Sequence, residues 1–159
     1  MHRFLIKILT IAVFAGAAGC IGNGNKVYDQ FQGVKNTGWH WKEPKRFDFE
    51  ITDETMLYNI TAQLRVTGKY FYSNIWLKYE LKGPDTDKKN EFMILLADNT
   101  GKWLGKGRNN LINFSSELLK NIKLKKGKYS FVIMQNMQDE ELLGVNDIGI
   151  RVEKSQKVF

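Results

Sequence analysis

Hydrophobic and polar residues alternate with a period of two over most of the chain after residue 27. In one such stretch, Ile60, Ala62, Leu64 and Val66 alternate with Thr61, Gln63 and Arg65. Strict alternation is typical of a β-strand that buries one face. The pattern recurs in segments 47–51, 75–81, 129–135 and 148–152. We therefore expect several strands that face a common core.

The segment Phe92–Leu96 differs because it is apolar at every position. Such a run predicts a central strand that is covered on both faces. Turn signals separate the strand-like runs, for example Gly83-Pro84-Asp85 and Asn99-Thr100-Gly101. Together these features predict an all-β fold, a single β-sandwich of about eight strands, jelly-roll or immunoglobulin-like.

One segment, Ser115–Lys123, breaks the period of two. Leu118, Leu119 and Ile122 recur at helical spacing, and Ser115 is of a residue type that caps helices. This spacing predicts one short helix. It would have to lean on the sandwich, because an isolated helix of this length is marginal in water.

The first 19 residues have the layout of a secretory signal. Arg3 and Lys7 flank the start of an apolar stretch, and small residues follow it. Ala17-Ala18-Gly19-Cys20 then resembles a bacterial lipobox, with Ala17 in place of the usual leucine. We therefore predict a lipoprotein signal peptide over residues 1–19 and lipidation of Cys20.

Two alternatives exist for this segment. A transmembrane anchor needs ~20 apolar residues, whereas this stretch is shorter and Lys7 interrupts it. The other is an ordinary secretory signal followed by a chance cysteine. In the lipoprotein interpretation, residues 20–26 form a lipidated tether, residues 27–154 the β-sandwich domain and residues 155–159 a tail.

The composition is that of a globular domain, with 43% hydrophobic and 13% aromatic residues. The formal net charge of +7 falls to +5 without the signal, which carries two cations and no acid. A modest basic excess suits an envelope protein near anionic headgroups, and we expect no nucleic-acid partner. Cys20 is the only cysteine, so its lipidation leaves no thiol for a disulfide or a thiolate metal site.

Several motifs occur in the order of a known family. The most specific are Tyr-Ser-Asn-Ile-Trp-Leu at 72–77 and Gly-Val-Asn-Asp-Ile-Gly at 144–149, with further matches at 47–53, 98–105 and 135–137. From the lipobox to Lys154, the chain resembles the gliding motility lipoprotein GldH family of the Bacteroidota. The resemblance implies a cell-envelope lipoprotein needed for gliding, a process linked to type IX secretion. It implies Cys20 as the lipid acceptor and no catalytic residues.

Motifs for catalysis or metal binding are incomplete. The glycine-rich stretch Gly101–Gly107 lacks the Gly-Lys-Ser/Thr ending of a phosphate loop. His40 is the only histidine after the signal, and no triad spacing surrounds it. The acidic stretches 85–87 and 139–141 do not match a calcium loop. We predict no enzymatic activity, no metal site and no small-molecule cofactor.

Aromatic residues provide the candidate interaction site. Trp76 lies opposite Ile75 and Leu77 in the alternation, so it is expected to face away from their core. The candidate partner-binding residues are Tyr72, Asn74, Trp76 and Trp103. The alternative is that a covered outer face buries the first three and that Trp103 packs back onto the sandwich from a hairpin.

A second candidate surface is basic. It comprises Lys120, Lys123, Lys125, Lys126 and Lys128. These lysines form either a solvated face or a contact for anionic headgroups or an acidic partner.

The sequence thus predicts a non-enzymatic adaptor, anchored by its lipid in the outer membrane and facing the periplasm. Its expected partners are other envelope proteins of the gliding and type IX secretion machinery. The periplasmic side is favoured because residues 21–25 contain no acid; some lipoproteins of the Bacteroidota carry acids there and reach the cell surface. The alternative is a carbohydrate-binding β-sandwich module, which would bind glycans rather than proteins.

Overall fold

The computed structural model describes residues 24–35, 38–108 and 110–157. The predicted signal peptide, Cys20 and residues 21–23 of the predicted tether lie outside these ranges. Within them the chain forms eleven strands: β1 (Lys26–Gly33), β2 (Trp39–His40), β3 (Lys45–Ile51), β4 (Met56–Thr67), β5 (Asn74–Gly83), β6 (Thr86–Leu95), β7 (Lys106–Arg108), β8 (Leu111–Lys123), β9 (Gly127–Gln135), β10 (Glu141–Leu142) and β11 (Val145–Lys157). No helix in the described ranges is long and apolar enough to cross a bilayer.

The long strands form two antiparallel sheets. One has the order β1-β11-β4-β8-β7 and the other β3-β9-β5-β6, while β2 and β10 pair separately. Counting only strands of seven or more residues, the sheets read first–eighth–third–sixth and second–seventh–fourth–fifth along the chain. This is the strand order of a jelly roll, so the predicted all-β sandwich is confirmed and its topology is resolved.

The alternating positions face the interior as the sequence predicted. Ile60, Ala62, Leu64 and Val66 of β4 are buried. The second sheet meets them with the apolar face of β5, including Ile75 and Leu77. Since each sheet has one apolar face, burial requires that the two faces pack together.

The predicted short helix over Ser115–Lys123 is wrong, because these residues belong to β8. Two irregularities in the pairing of β8 with β4 shift the alternation, and Asn121 adopts a positive φ of 49°. A bulge adds an unpaired residue to one strand and thereby breaks its period of two. Leu118, Leu119 and Ile122 all pack partly buried against the core, so the bulged strand imitates helical spacing.

The expectation of a central strand over Phe92–Leu96 is also wrong. These residues end β6 and follow it, and β6 is an edge strand of the second sheet. Ile94 and Leu96 point into the core, whereas Met93 and Leu95 are 40% and 50% exposed. The continuous apolar run therefore reflects an exposed apolar surface on the outer face.

Strand β1, which continues the tether, is held to its sheet by Asp29. Its carboxylate lies 2.8 Å from the Lys26 ammonium and 3.3 Å from the Arg151 guanidinium. It also accepts a hydrogen bond of 3.1 Å from the buried amide of Gln63. Burial alone would raise the pKa of Asp29, but the hydrogen bonds from Lys26 and Gln63 and the charge of Arg151 outweigh it and hold the pKa below its ordinary value.

At one end of the sandwich, Tyr129 contacts both the β5–β6 connection and the β8–β9 connection. Its ring is buried directly over Gly83, and a side chain at that glycine would overlap it. The phenol donates to the Asp85 carboxylate, and the Lys125 carbonyl oxygen also lies within hydrogen-bond distance, each at 2.9 Å. Burial, together with the hydrogen bond to Asp85, raises the pKa of Tyr129. The β5–β6 and β8–β9 connections are thereby joined.

Replacing Asp29 tests the anchoring of β1. We expect Asp29→Asn to lower the free energy of unfolding at neutral pH by about 1 kcal/mol, because a charge-assisted network is lost. A group with a depressed native pKa stabilises the fold above its unfolded pKa. The difference in the free energy of unfolding between the wild type and the variant should therefore vanish only as the pH falls below about 4. Denaturant titrations across this pH range measure it. Equal stability of the two proteins at neutral pH would contradict this role of Asp29.

Gly83→Ala tests the packing of Tyr129. We expect a loss of about 1–3 kcal/mol in the free energy of unfolding, the usual cost of overpacking. Gly33→Ala is the matched control, since Gly33 also ends a strand but has only Asp147 nearby, at 3.8 Å from an added Cβ. Thermal unfolding should show a lower melting temperature for the first variant and little change for the second. Similar melting temperatures would show that Tyr129 does not depend on Gly83.

Candidate functional site

The outer face of the β5–β6 hairpin carries the exposed aromatic residue that the sequence singled out. Trp76 lies in β5 and is 45% exposed, so its side chain faces away from the core as predicted. Across the hairpin it pairs with Met93, and Asn74 pairs with Leu95. Met93 and Leu95 are exposed on this face. We call the surface formed by Tyr72, Trp76, Met93 and Leu95 the Trp76 patch.

Tyr72 is the member of this patch that lies in the connection between β4 and β5. Its ring is 40% exposed and lies 5.9 Å from that of the buried Tyr70. Its hydroxyl donates to the Asp139 carboxylate at 2.5 Å. This hydrogen bond raises the pKa of Tyr72, since ionising the phenol beside a carboxylate is unfavourable. Tyr72 therefore joins the patch to the connection between β9 and β10.

Residues 136–140, the connection that follows β9, are held against Trp76. The backbone N–H of Asn136 donates to the Trp76 carbonyl at 2.9 Å, and the Trp76 N–H lies 3.2 Å from the Met137 sulfur. Beneath them, the buried Gln135 amide donates to the Asp139 carbonyl and accepts from the Met137 N–H, each at 2.8 Å. A buried amide satisfied in this way fixes the segment above it. These hydrogen bonds fix residues 136–140 behind the Trp76 patch, and we call this segment the frame of the patch.

The rest of the hairpin's outer face is charged. Glu80 of β5 contacts the ammonium groups of Lys89 at 2.9 Å and Lys82 at 3.8 Å. The Lys89 hydrogen bond and the surrounding lysines hold the pKa of Glu80 below its ordinary value. One half of this face is therefore polar and the half around Trp76 is apolar, which gives the patch a definite border.

Trp103 differs from the other candidates. It is partly buried, pairs with Ala97 through an isolated bridge and packs its ring 6.2 Å from that of Phe114. The structure shows the alternative given for Trp103, in which the ring packs back onto the sandwich, and its role as a partner-binding residue stays a prediction. Its side chain packs against the edge of the core, whereas the adjacent Leu104 is 53% exposed.

Met93 and Leu95 were missed as surface residues because their run was interpreted as a buried strand. The sequence feature that could have revealed their exposure is the turn between β5 and β6. A hairpin closed by Pro84-Asp85 pairs Gly83 with Thr86, and counting back from that pair places Met93 opposite Trp76. Because outward-facing residues pair across neighbouring strands, Met93 had to share the exposure of Trp76.

His40 has a local structural role. Its Nδ1 accepts a hydrogen bond of 3.0 Å from the backbone of Lys42, and its ring stacks on Trp41 with the centroids 6.0 Å apart. In the ranges that the structure describes, no three His, Cys, Asp or Glu side chains come together as metal ligands would.

Comparisons with known proteins identify the family. A family model described as GldH lipoprotein matches residues 26–152. The chain is 28% identical to a protein named "Gliding motility lipoprotein GldH homolog" from Christiangramia forsetii, over 94% of each chain. Among solved structures, the infectious bursal disease virus VP2 subviral particle is 17% identical with a TM-score of 0.34, over 82% of this chain and 31% of that one. That likeness is too distant to bear on function.

The family model spans every strand from β1 to most of β11, including the hairpin that carries the Trp76 patch. The resemblance found in the sequence motifs is thereby confirmed, and this chain belongs to the GldH lipoprotein family.

Proposed function

We propose that this protein is an outer-membrane lipoprotein of bacterial gliding motility. In this proposal it acts as a non-enzymatic adaptor that docks other envelope proteins of the gliding and type IX secretion machinery. Family membership and the name of the Christiangramia forsetii relative support the motility and lipoprotein parts. The Trp76 patch supports the adaptor part.

The observation that carries the adaptor role is the exposure of Trp76 beside Met93 and Leu95. Large apolar side chains that adjoin on a surface and have a polar border mark interaction sites. Tryptophan and methionine are enriched in protein interfaces, and tryptophan dominates their binding energy. Because residues 136–140, the frame of the patch, are already fixed by hydrogen bonds, fewer groups become ordered on binding and its conformational cost is lower. A protein partner therefore fits this surface.

A lipid on Cys20 gives the adaptor its position. Anchoring by several acyl chains is far firmer than by one, and tethering raises the effective concentration of the domain for partners in the same membrane. The absence of acids in residues 21–25 supports the periplasmic side.

A carbohydrate-binding role is the competing function. Exposed tryptophans stack on sugar rings, and both Trp76 and Trp41 are exposed, at 45% and 44%. The neighbours of Trp76 in the patch are the flexible apolar side chains of Met93 and Leu95, which suit protein packing. A glycan-binding screen separates the two functions, since the adaptor should ignore sugars.

The Cys20→Ala variant tests the anchor. We expect the protein to lose its lipid and its support of gliding, while its melting temperature stays that of the wild type, because Cys20 precedes the strands of the sandwich. Labelling of cells with radioactive palmitate measures acylation directly. Equal labelling of the variant and the wild type would refute Cys20 as the acceptor.

The Trp76→Ala variant tests the adaptor surface. We expect recovery of cross-linked envelope proteins from the host to fall by about thirtyfold, the effect of losing a hot spot of ~2 kcal/mol. Stability should change by no more than about 0.5 kcal/mol, as for other exposed positions. Met93→Ala should weaken recovery in the same direction.

Two controls accompany this test. Leu143→Ala removes another exposed apolar side chain (56% exposed) outside the patch and should leave recovery unchanged. Trp103→Ala removes a ring that packs on the core and should lower the melting temperature. Unchanged recovery with a large fall in melting temperature for Trp76→Ala would make Trp76 a structural residue.

A further inference from the structure

The connections of the sandwich divide between two ends. At one end lie the start of β1, the end of β11 and three connections, at residues 52–55, 84–85 and 124–126. The tether enters here, because the Asn25 carbonyl accepts a hydrogen bond of 2.7 Å from the Lys154 N–H. We call this the tether end. The Trp76 patch lies toward the opposite end, at the start of β5 and the finish of β6.

Five exposed lysines cluster at the tether end: Lys123, Lys125, Lys126, Lys128 and Lys157. In the part of the chain that the structure describes, no carboxylate lies within 4.0 Å of their ammonium groups, unlike those of Lys120 and Lys154, which pair with Glu117 and Asp53. Lys123 and Lys157 pair with Leu57 and Met56, on opposite sides of β4. Two strand spacings put their backbones about 10 Å apart.

The lysine-bearing connection is built into the fold. Leu124 is buried in the core, and the Lys125 carbonyl lies at the Tyr129 hydroxyl. The backbone N–H of Lys126 donates to the Glu54 carboxylate at 3.3 Å. These contacts hold the backbone while the lysine side chains project into solvent, so the positive surface exists before any ligand binds.

The acids at the tether end are partly engaged elsewhere. Asp53 accepts hydrogen bonds from Thr55 and contacts Lys154, and Asp85 accepts one from Tyr129. At the opposite end, Asp139, Glu140 and Glu141 follow one another, and Lys42, Lys69 and Lys102 are exposed there as well. What distinguishes the tether end is the clustering of its lysines.

The length of the tether brings this surface to the bilayer. Four residues lie between Cys20 and Asn25, so five residue-to-residue steps separate them, which span at most ~18 Å when fully extended. With acyl chains on Cys20, the tether end therefore stays close to the headgroups. Lysines within a Debye length of about 8 Å of an anionic surface are attracted to it, each strengthening binding about fivefold.

We propose that the five tether-end lysines bind anionic phospholipid headgroups of the membrane that holds the acyl chains. This contact orients the sandwich so that the Trp76 patch points away from the bilayer. The proposal rests on the lipid anchor of the proposed function and adds a second, electrostatic contact to it.

The test uses the acylated protein, purified from host membranes and reconstituted into vesicles of phosphatidylcholine alone or with phosphatidylglycerol replacing part of it. Labelling with an amine reagent that does not cross membranes, read by mass spectrometry, reports the accessibility of each lysine. We expect the tether-end lysines to react several-fold more slowly on the anionic vesicles. High salt should reverse the effect, because the Debye length shrinks to about 3 Å at 1 M.

Lysines at the opposite end serve as the internal control. Lys42, Lys69 and Lys102 are exposed and should react equally on both kinds of vesicle. The combined K123Q, K125Q and K126Q variant should lose the protection of Lys128 and Lys157, whereas the combined K42Q, K69Q and K102Q variant should keep it. All six positions are exposed, so both variants should fold.

The outcomes separate the two proposals. Protein that fails to float with neutral vesicles would contradict the lipid anchor. Protein that floats but shows equal lysine reactivity on both kinds of vesicle would overturn the headgroup contact alone. Protection found only in native membranes would assign the lysines to an acidic protein partner and would equally overturn it.

Discussion

The packing of two apolar sheet faces against each other is the constraint on which the whole structure depends. Leu64 and Ile150 in one sheet and Leu77 and Phe131 in the other are each almost inaccessible to solvent. Burying side chains of this size contributes about 1.5–3 kcal/mol each. The jelly-roll order places every long strand where it can contribute to that one core. The outer faces of the two sheets and the two ends of the sandwich are not needed for that core, so they are available for other roles.

The distribution of those roles follows from the topology. Because β1 begins and β11 finishes at the same end, the tether emerges beside exposed lysines. Because β6 is an edge strand next to β5, its outward apolar residues extend the surface of Trp76. The two proposals therefore place membrane attachment and partner docking at different ends of the sandwich. In that arrangement the sandwich would hold a partner away from the bilayer surface.

The sequence predicted the core well and the surface less well, for physical reasons. Alternation in β4 and β5 reports directly on burial, because a strand exposes every second residue. It fails in β8, where the bulges near Leu118 and Leu119 break the period, and in β6, where Met93 and Leu95 are apolar but exposed. Pairing partners depend on contacts distant in sequence, so the arrangement of the Trp76 patch and the tether end required the fold. The lipid acceptor Cys20 was predicted from local pattern alone and stays a prediction.

The orientation of the domain, with its Trp76 patch toward a protein and its lysines toward lipid, is the central claim. Site-specific photo-cross-linking in living host cells tests it most directly, with a photoreactive phenylalanine analogue placed at position 76 or at position 126. We expect protein adducts from position 76 and none from position 126, which should face headgroups. Protein adducts from position 126 and none from position 76 would contradict it.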